Sequence, residues 1–370
     1  MNISADFDSG NIVVLDTRDD TVVQLAIRPD INSHHFQWFH FLAQSLEPGR
    51  EYGFVLTNAG QSAYPHAWAG YQAVASYDGQ DWFRVPTTFD QGQLRFTLVA
   101  EQAQAYFAYF EPYSRARHQR LIERAQQQGA ELLACGKSLE GRDIELLRYG
   151  QGARKVWIIA QQHPGEHMAE WLMEGLIERL AEADSAIAAL LADAQFYLVP
   201  NMNPDGAYRG HLRTNFAGQD LNRAWQDASA ERSPEVLFVQ QQMAQSGVDL
   251  FLDIHGDEEI PHVFSAGCEG NPGYTPRLAQ LEAQFRALLS ETGEFQTTYG
   301  YPLDAPGQAN LTLACNAVGQ AYDCLSFTLE MPFKDHNDTP QPRTGWNGAR
   351  SKALGRALLA VTGQMLPVLR

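Results

Sequence analysis

The sequence is poor in positive charge, poor in cysteine and without long apolar runs. Lys and Arg number 27 against 44 Asp and Glu, a formal net charge of −17. A nucleic-acid binder presents a basic face to phosphates, so that class is disfavoured, and the acid excess serves solubility instead. No run of about 18 consecutive apolar residues occurs, so no membrane-spanning helix is expected. Residues 1–15 contain Asp6 and Asp8 and no basic segment leading into an apolar one, unlike a secretory leader. The four cysteines, Cys135, Cys268, Cys315 and Cys324, form no Cys-x-x-Cys knuckle. They read as reduced thiols of a cytoplasmic protein, with Cys315 and Cys324 able to pair only if geometry allows. Internal repeats and low-complexity segments are absent as well.

What is present suits a folded chain of 370 residues, 44% of them apolar, enough for two domains of roughly 100–200 residues each. The first third alternates as strands do: Asn11 to Leu15, Val22 to Ile27, Phe36 to Phe41, Tyr52 to Thr57, Gln72 to Tyr77, Leu94 to Val99 and Tyr106 to Phe110. A charged turn is expected at Thr17 to Asp20, and a hairpin turn at Tyr77-Asp78-Gly79-Gln80, where Asp-Gly supplies positive φ. Short strands at this spacing predict an antiparallel β-sandwich over residues 1–112. Its tryptophans, Trp38, Trp68 and Trp82, read as core or domain-contact residues.

From 113 to 370 strands and helices alternate. Strands are expected at 144–148, 156–160, 196–199, 248–254 and 325–329. Helices are expected at 115–128, 169–180, 185–192, 233–245, 275–290 and 349–362. Ser233 serves as an N-cap, with Pro234 at the first helical position. This is α/β, a mixed and mostly parallel sheet flanked by helices.

In such sheets, sites form where strands end. The strand at 156–160 leads into His163-Pro164-Gly165-Glu166, the one at 248–254 into His255-Gly256-Asp257, and the one at 325–329 into Glu330. Two histidines and a carboxylate form a common catalytic zinc set, with the fourth position left open. Asp253, two residues before His255, could orient a ligand from behind. A further carboxylate must carry the proton from water to the leaving amine, and Glu330 is the candidate. Taken singly, each fragment also reads as a surface loop, a strand-to-helix junction or a helix cap.

The residues between these fragments change that balance. His-Pro-Gly-Glu (163–166), Asn-Pro-Asp-Gly (203–206), Asp-Leu-Asn-Arg-x-Trp (220–225), Asp-Ile-His-Gly (253–256) and Thr-Leu-Glu (328–330) together resemble the M14 zinc carboxypeptidases in order and spacing. Phe7 to Asn11, Gln37 to Phe39 and Phe107 to Ser114 resemble the N-terminal part of the cytosolic carboxypeptidase subfamily. The resemblance implies one zinc held by His163, Glu166 and His255, and Glu330 as general base and acid. It implies Arg213 at the scissile carbonyl, and Asn222 with Arg223 at the substrate's terminal carboxylate. A planar guanidinium suits that last role.

The substrate so implied is the C-terminal tail of a peptide or protein, with a preference for glutamate that would need a basic residue in the pocket. Lys334 and Arg343 follow the catalytic strand but read equally as solvated surface. None of Tyr299, Tyr301 and Tyr322 stands at the spacing of the family's gating tyrosine, and Asp257 stands where relatives often have a histidine. The N-terminal domain is expected to pack beside the rim and limit entry. Two other readings are a zinc amidohydrolase acting on N-acyl amino acids and a non-catalytic binding protein. The sequence sets no oligomeric state.

Overall fold

The structure is a computed structural model that describes residues 1–19 and 21–369. Asp20, at the end of the expected charged turn, lies outside them. Ten strands come first: β1 (Asn2–Ser4), β2 (Val13–Asp16), β3 (Val22–Ala26), β4 (His40–Gln44), β5 (Glu51–Leu56), β6 (Val74–Ser76), β7 (Phe83–Arg84), β8 (Thr87–Asp90), β9 (Gln93–Val99) and β10 (Gln104–Ala108). They form two five-stranded sheets, β1-β4-β10-β6-β7 and β2-β3-β5-β9-β8. The pairings are antiparallel except for one, β3 with β5. The register of β5 on β9 sets Tyr52 opposite Leu98, Phe54 opposite Phe96 and Leu56 opposite Leu94, and all six are buried. Phe54 meets Phe107 of the other sheet with ring centroids 4.4 Å apart. Aromatic contacts between two inner faces are what close a sandwich.

The alternation at 36–41 is only partly a strand, since the ladder begins at His40. Trp38, Phe39 and Phe41 are all fully buried, which a period of two cannot achieve. Trp38 instead leaves the sheet and stacks on His167 at 4.2 Å. The expected turn at 77–80 does join β6 to β7, with Gly79, but not Asp78, at positive φ.

The second part contains α1 (Arg115–Gln127), β11 (Glu131–Lys137), β12 (Asp143–Tyr149), β13 (Arg154–Ala160), α2 (His167–Leu180), α3 (Ser185–Asp193), β14 (Ala194–Val199) and α4 (Pro204–Arg209). It continues with α5 (Pro234–Ser246), β15 (Leu250–Asp257), β16 (Phe264–Ala266), α6 (Pro276–Ser290), α7 (Ala314–Tyr322), β17 (Leu325–Pro332) and α8 (Gly348–Met365). The seven strands lie in the order β11-β12-β14-β13-β15-β17-β16. The four central ones are parallel, and the outer strands β11, β12 and β16 pair antiparallel. Val156 and Ile158 of β13 join a core with Leu172, Leu176 and Leu358. Their neighbours Trp157 and Ile159 join a second core with Val236, Val239 and Val318. Apolar burial on both faces explains the near-continuous apolar runs of these strands. Ser233 precedes α5 but makes no side-chain cap. The elements β11, β16, α4 and α7 escape the sequence reading, as do β1, β7 and β8 of the sandwich.

One buried carboxyl gives this fold a pH dependence. Glu235 on α5 is fully buried. It accepts from Asn215 Nδ2 at 3.2 Å through one oxygen, and its other oxygen has no partner among the described residues. Burial pushes its pKa up to about 7. The unfolded carboxyl ionises near 4.5, so the protonated form favours the fold, and stability is lost as pH rises from the unfolded to the folded value. Glu235→Gln is therefore expected to match the wild type near pH 4.5 and to exceed it by on the order of 2–3 kcal/mol above pH 7. Denaturant unfolding of both proteins across this range checks it.

Candidate metal centre and active site

After β13, Gln161 adopts a left-handed φ of 58° and its amide ties down Pro164 O at 2.9 Å. This tight turn brings His163 and Glu166 together. His255 joins them from β15, and the three buried side chains place one ligand atom each within 4.8 Å of one another. His163 Nδ1 lies 2.7 Å from Glu166 Oε1, and His255 Nδ1 lies 2.8 Å from Glu166 Oε2.

The opposite ring nitrogens decide whether a metal fits. His163 Nε2 is 3.1 Å from Asp220 Oδ1. His255 Nε2 is 2.9 Å from Asp253 Oδ2. Both Nε2 atoms thus face carboxylates and carry the proton, and both Nδ1 atoms turn lone pairs toward the Glu166 carboxylate. A cation between them would reconcile acceptors that converge on acceptors, and this nitrogen and oxygen set suits zinc. A second cluster, His262, His336 and Asp338, fails the same test. His336 has both ring nitrogens engaged, by Glu294 O at 2.7 Å and by Asp338 N at 3.1 Å.

The remaining expected residues line the same cavity, of about 430 Å³. His255 and Glu330 lie within β15 and β17 rather than beyond their ends, because the parallel ladder continues through them and sets the two side by side. Glu330 Oε2 is buried without a partner among the described residues. Burial pushes this carboxyl up to about 8, aided by Glu166 and Asp257 and opposed by His255. Arg213 donates through Nε to Asp220 Oδ2 at 2.8 Å. Burial alone would raise the Asp220 carboxyl, but His163 and Arg213 hold it well below the usual carboxylate range. Asn222 accepts from Ala314 N at 2.8 Å, which leaves its NH2 group to the cavity. Arg223 bonds only the carbonyl of Asn222 at 2.8 Å, so its guanidinium has no carboxylate partner among the described residues.

Several site residues were not assigned from sequence. Asp220 was visible only as part of a motif. Tyr301 is 45% exposed, yet its hydroxyl reaches inward, donating to Asp257 at 2.7 Å and lying 3.1 Å from Glu330 Oε1. Tyr64 and Glu258 also line the cavity; Tyr64 comes from the first sandwich, where nothing local marks it. Glu258 is buried, and its pKa is raised by burial and by Glu166 and Asp257.

Other motif residues prove structural. Trp225 donates to Gln162 at 2.8 Å, and Gln162 donates to Asp253 at 2.7 Å. Asn203 caps α4, while Asp205 binds Ser138, Glu140 and Arg142. Neither Lys334 nor Arg343 lines the cavity. The cysteines are free thiols, so Cys315 and Cys324 do not pair, and Cys315 Sγ lies 3.4 Å from Cys268 Sγ.

Comparison with known proteins agrees with this geometry. Residues 3–110 match the model of the cytosolic carboxypeptidase N-terminal domain, and residues 118–336 match that of zinc carboxypeptidases. A metallo-carboxypeptidase from Pseudomonas aeruginosa, solved with (2-guanidinoethylmercapto)succinic acid, is 64% identical. It is covered over the full length of both chains with a TM-score of 0.98. A metallo-carboxypeptidase from Burkholderia cenocepacia is 43% identical over 99% of each chain, with a TM-score of 0.96. Cytosolic carboxypeptidase 6 of Caenorhabditis elegans is 24% identical over 92% of this chain and 80% of its own. No helix among the described residues is long and apolar enough to cross a membrane.

Carboxylates behind a ligating histidine raise its basicity and fix its ring. Asp220→Asn is expected to weaken zinc binding by about 10–100-fold, read by competition with a chromogenic chelator. Unchanged affinity would separate Asp220 from the metal centre.

Proposed function

We infer the roles of individual residues from one premise: the chain belongs to the M14 family of zinc carboxypeptidases, with a cytosolic carboxypeptidase N-terminal domain in front. It is a zinc metallocarboxypeptidase. On our reading residues 1–112 form the front domain and 113–370 the catalytic one, and the protein works in the cytoplasm. His163, Glu166 and His255 hold one zinc per chain. When bound, zinc supplies Lewis-acid polarisation and lowers the pKa of water. Glu330 takes the proton from the attacking water and delivers it to the leaving amine; a buried carboxyl with raised proton affinity suits both steps. Arg213 donates toward the carbonyl oxygen as it gains charge.

Asn222 and Arg223 receive the terminal carboxylate, and this carries the exopeptidase reading. Arg223 is an unpaired guanidinium in a cavity lined by Glu166, Asp257, Glu258, Glu259 and Glu330, and a carboxylate would be its partner. The Pseudomonas aeruginosa enzyme was solved with a ligand bearing two carboxylates. Carried to this chain, those groups would match Arg213 and Arg223.

A glutamate preference, implied by the subfamily, would need a third cation. Among the described residues only Arg213 and Arg223 are cations lining the cavity. Lys334 is turned to Glu259 O at 3.3 Å, and Arg343 lies at a different recess. The lining also includes the neutral Ala266, Leu313 and Thr328. We therefore propose that neutral C-terminal residues leave faster than glutamate.

The test is release of amino acids from peptides ending in neutral, acidic and basic residues, each also with an amidated C-terminus. Release should require zinc and a free carboxylate, fall by about 100–10,000-fold in Glu330→Gln, and rank neutral above glutamate. Equal cleavage of amidated peptides would refute the exopeptidase reading. No release from zinc-loaded protein would turn attention to N-acyl amino acids or to a binding role.

A further inference from the structure

Arg213 sits on an irregular loop, residues 210–220, whose only ladder contact among the described residues is the isolated bridge from Thr214 to Asp220. A donor that stabilises a developing oxyanion must be held in place before the reaction, because reorientation would consume what the contact provides. The catalytic part of the chain supplies one restraint on the guanidinium, from Asp220 to Nε. A single bond leaves the plane free to swing about that anchor.

The second restraint comes from the sandwich. Tyr64 accepts a hydrogen bond from Arg213 Nη1. Two bonds to one plane fix its orientation, and Nη2, which has no partner among the described residues, is left for the cavity. The loop's backbone is held from the same side. Asp30, 2% exposed, accepts from Leu212 N at 2.7 Å, Arg213 N at 2.8 Å and Thr214 N at 2.8 Å, and from the Thr214 hydroxyl at 3.1 Å. Among the described residues every bond to that carboxylate comes from this loop. Three successive amides around one carboxylate make an anion nest, here closed by a residue of another sheet system.

The loop's glycines point the same way. Gly210 has φ +69°, and a Cβ there would come within 2.7 Å of Ser9 O. Gly218 has φ +72°, and a Cβ there would lie 2.1 Å from Asn32 O. Both ends of the loop are thus shaped to accept sandwich backbone at close range. Asn11 Nδ2 bonds Gly210 O at 2.8 Å, and Ile31 N bonds His211 at 3.1 Å.

We propose that the N-terminal sandwich is part of the catalytic apparatus, with Asp30 and Tyr64 as positioning residues that hold Arg213 in its working orientation. This rests on the role given to Arg213 above and goes beyond it, since the sandwich then sets the rate of the chemical step rather than only access to the cavity.

A double-mutant cycle on the full-length zinc enzyme tests it. Tyr64→Phe removes one hydroxyl and is expected to lower kcat about 3–10-fold with KM changed by less than about twofold. Asp30→Asn should lower kcat by about 10-fold or more. In an Arg213→Ala background, itself slower by about 100–1000-fold, Tyr64→Phe and Asp30→Asn should each change kcat by less than about twofold. Zinc content and unfolding temperature are recorded for every variant. If Asp30→Asn fails to fold, the Tyr64 cycle decides alone. Full losses persisting without Arg213, or a rise in KM with kcat unchanged, overturn the proposal. An Arg213→Ala enzyme with normal kcat refutes instead the role given to Arg213, and the inference falls with it.

Discussion

The arrangement around the cavity is governed by the concentration of buried acid. Buried Glu166, Asp253, Glu258 and Glu330 and the partly buried Asp220 gather beside two histidines, with Arg213 and Arg223 as the cations. Carboxylates at such separations cannot all remain ionised in a dry interior unless positive charge stands among them. The charge is divided accordingly. Asp220 lies between His163 and Arg213 and stays ionised. Among the described residues Glu258 and Glu330 have no cation within hydrogen-bonding distance, and burial, only partly opposed by Arg213 and His255, makes them hold protons more strongly. Glu166, between the two histidine Nδ1 atoms and also accepting from Gly256 N, has a metal as its natural further partner. Acid with raised proton affinity on one side and ionised acid on the other is how one site can both hold a cation and shuttle a proton.

Much of this is visible in the amino-acid sequence, because the elements that carry it are governed by local rules. Strands β13, β15 and β17 are buried on both faces and therefore read as apolar runs ending in His and Glu. The turn carrying His163 and Glu166 is marked by Pro164 and Gly165. What escaped was decided at longer range. Tyr301 acts from a segment without regular structure, and its hydroxyl reaches Glu330 only through the fold. Tyr64 and Asp30 lie far from Arg213 in sequence, and no periodicity links them. Residues 36–41 misled in the opposite direction. Their alternation suggested a strand, but Trp38 is used to stack on His167, so tertiary contact overrode the local pattern. The outer strands β11 and β16 and the helix α7 are short or half-buried and carry little signal of their own.

Rigid and irregular backbone divide the work at this site. The metal ligands and Glu330 stand on strands or on a turn braced against them, where the ladder fixes His255 opposite Glu330. The groups proposed to meet the substrate stand off the sheet, Arg213 on a loop and Asn222 and Arg223 in a single 3-10 turn at 221–223, as binding residues commonly do. Loops gain precision only from what packs against them. For Asn222 the brace is the start of α7, through Ala314 N, and so comes from the same α/β unit. For Arg213 it comes largely from the sandwich. Trp38 on His167 and Tyr109 on Phe333, ring centroids 4.6 Å apart, press the sandwich onto the helix after the zinc turn and onto the end of the catalytic strand. The same contacts that bury the aromatic face of the sandwich therefore set where its polar residues meet the active-site loop. On the role proposed for Arg213, packing between the two parts and geometry at the reaction centre are one constraint, so a change in the first would reach the second without touching a metal ligand.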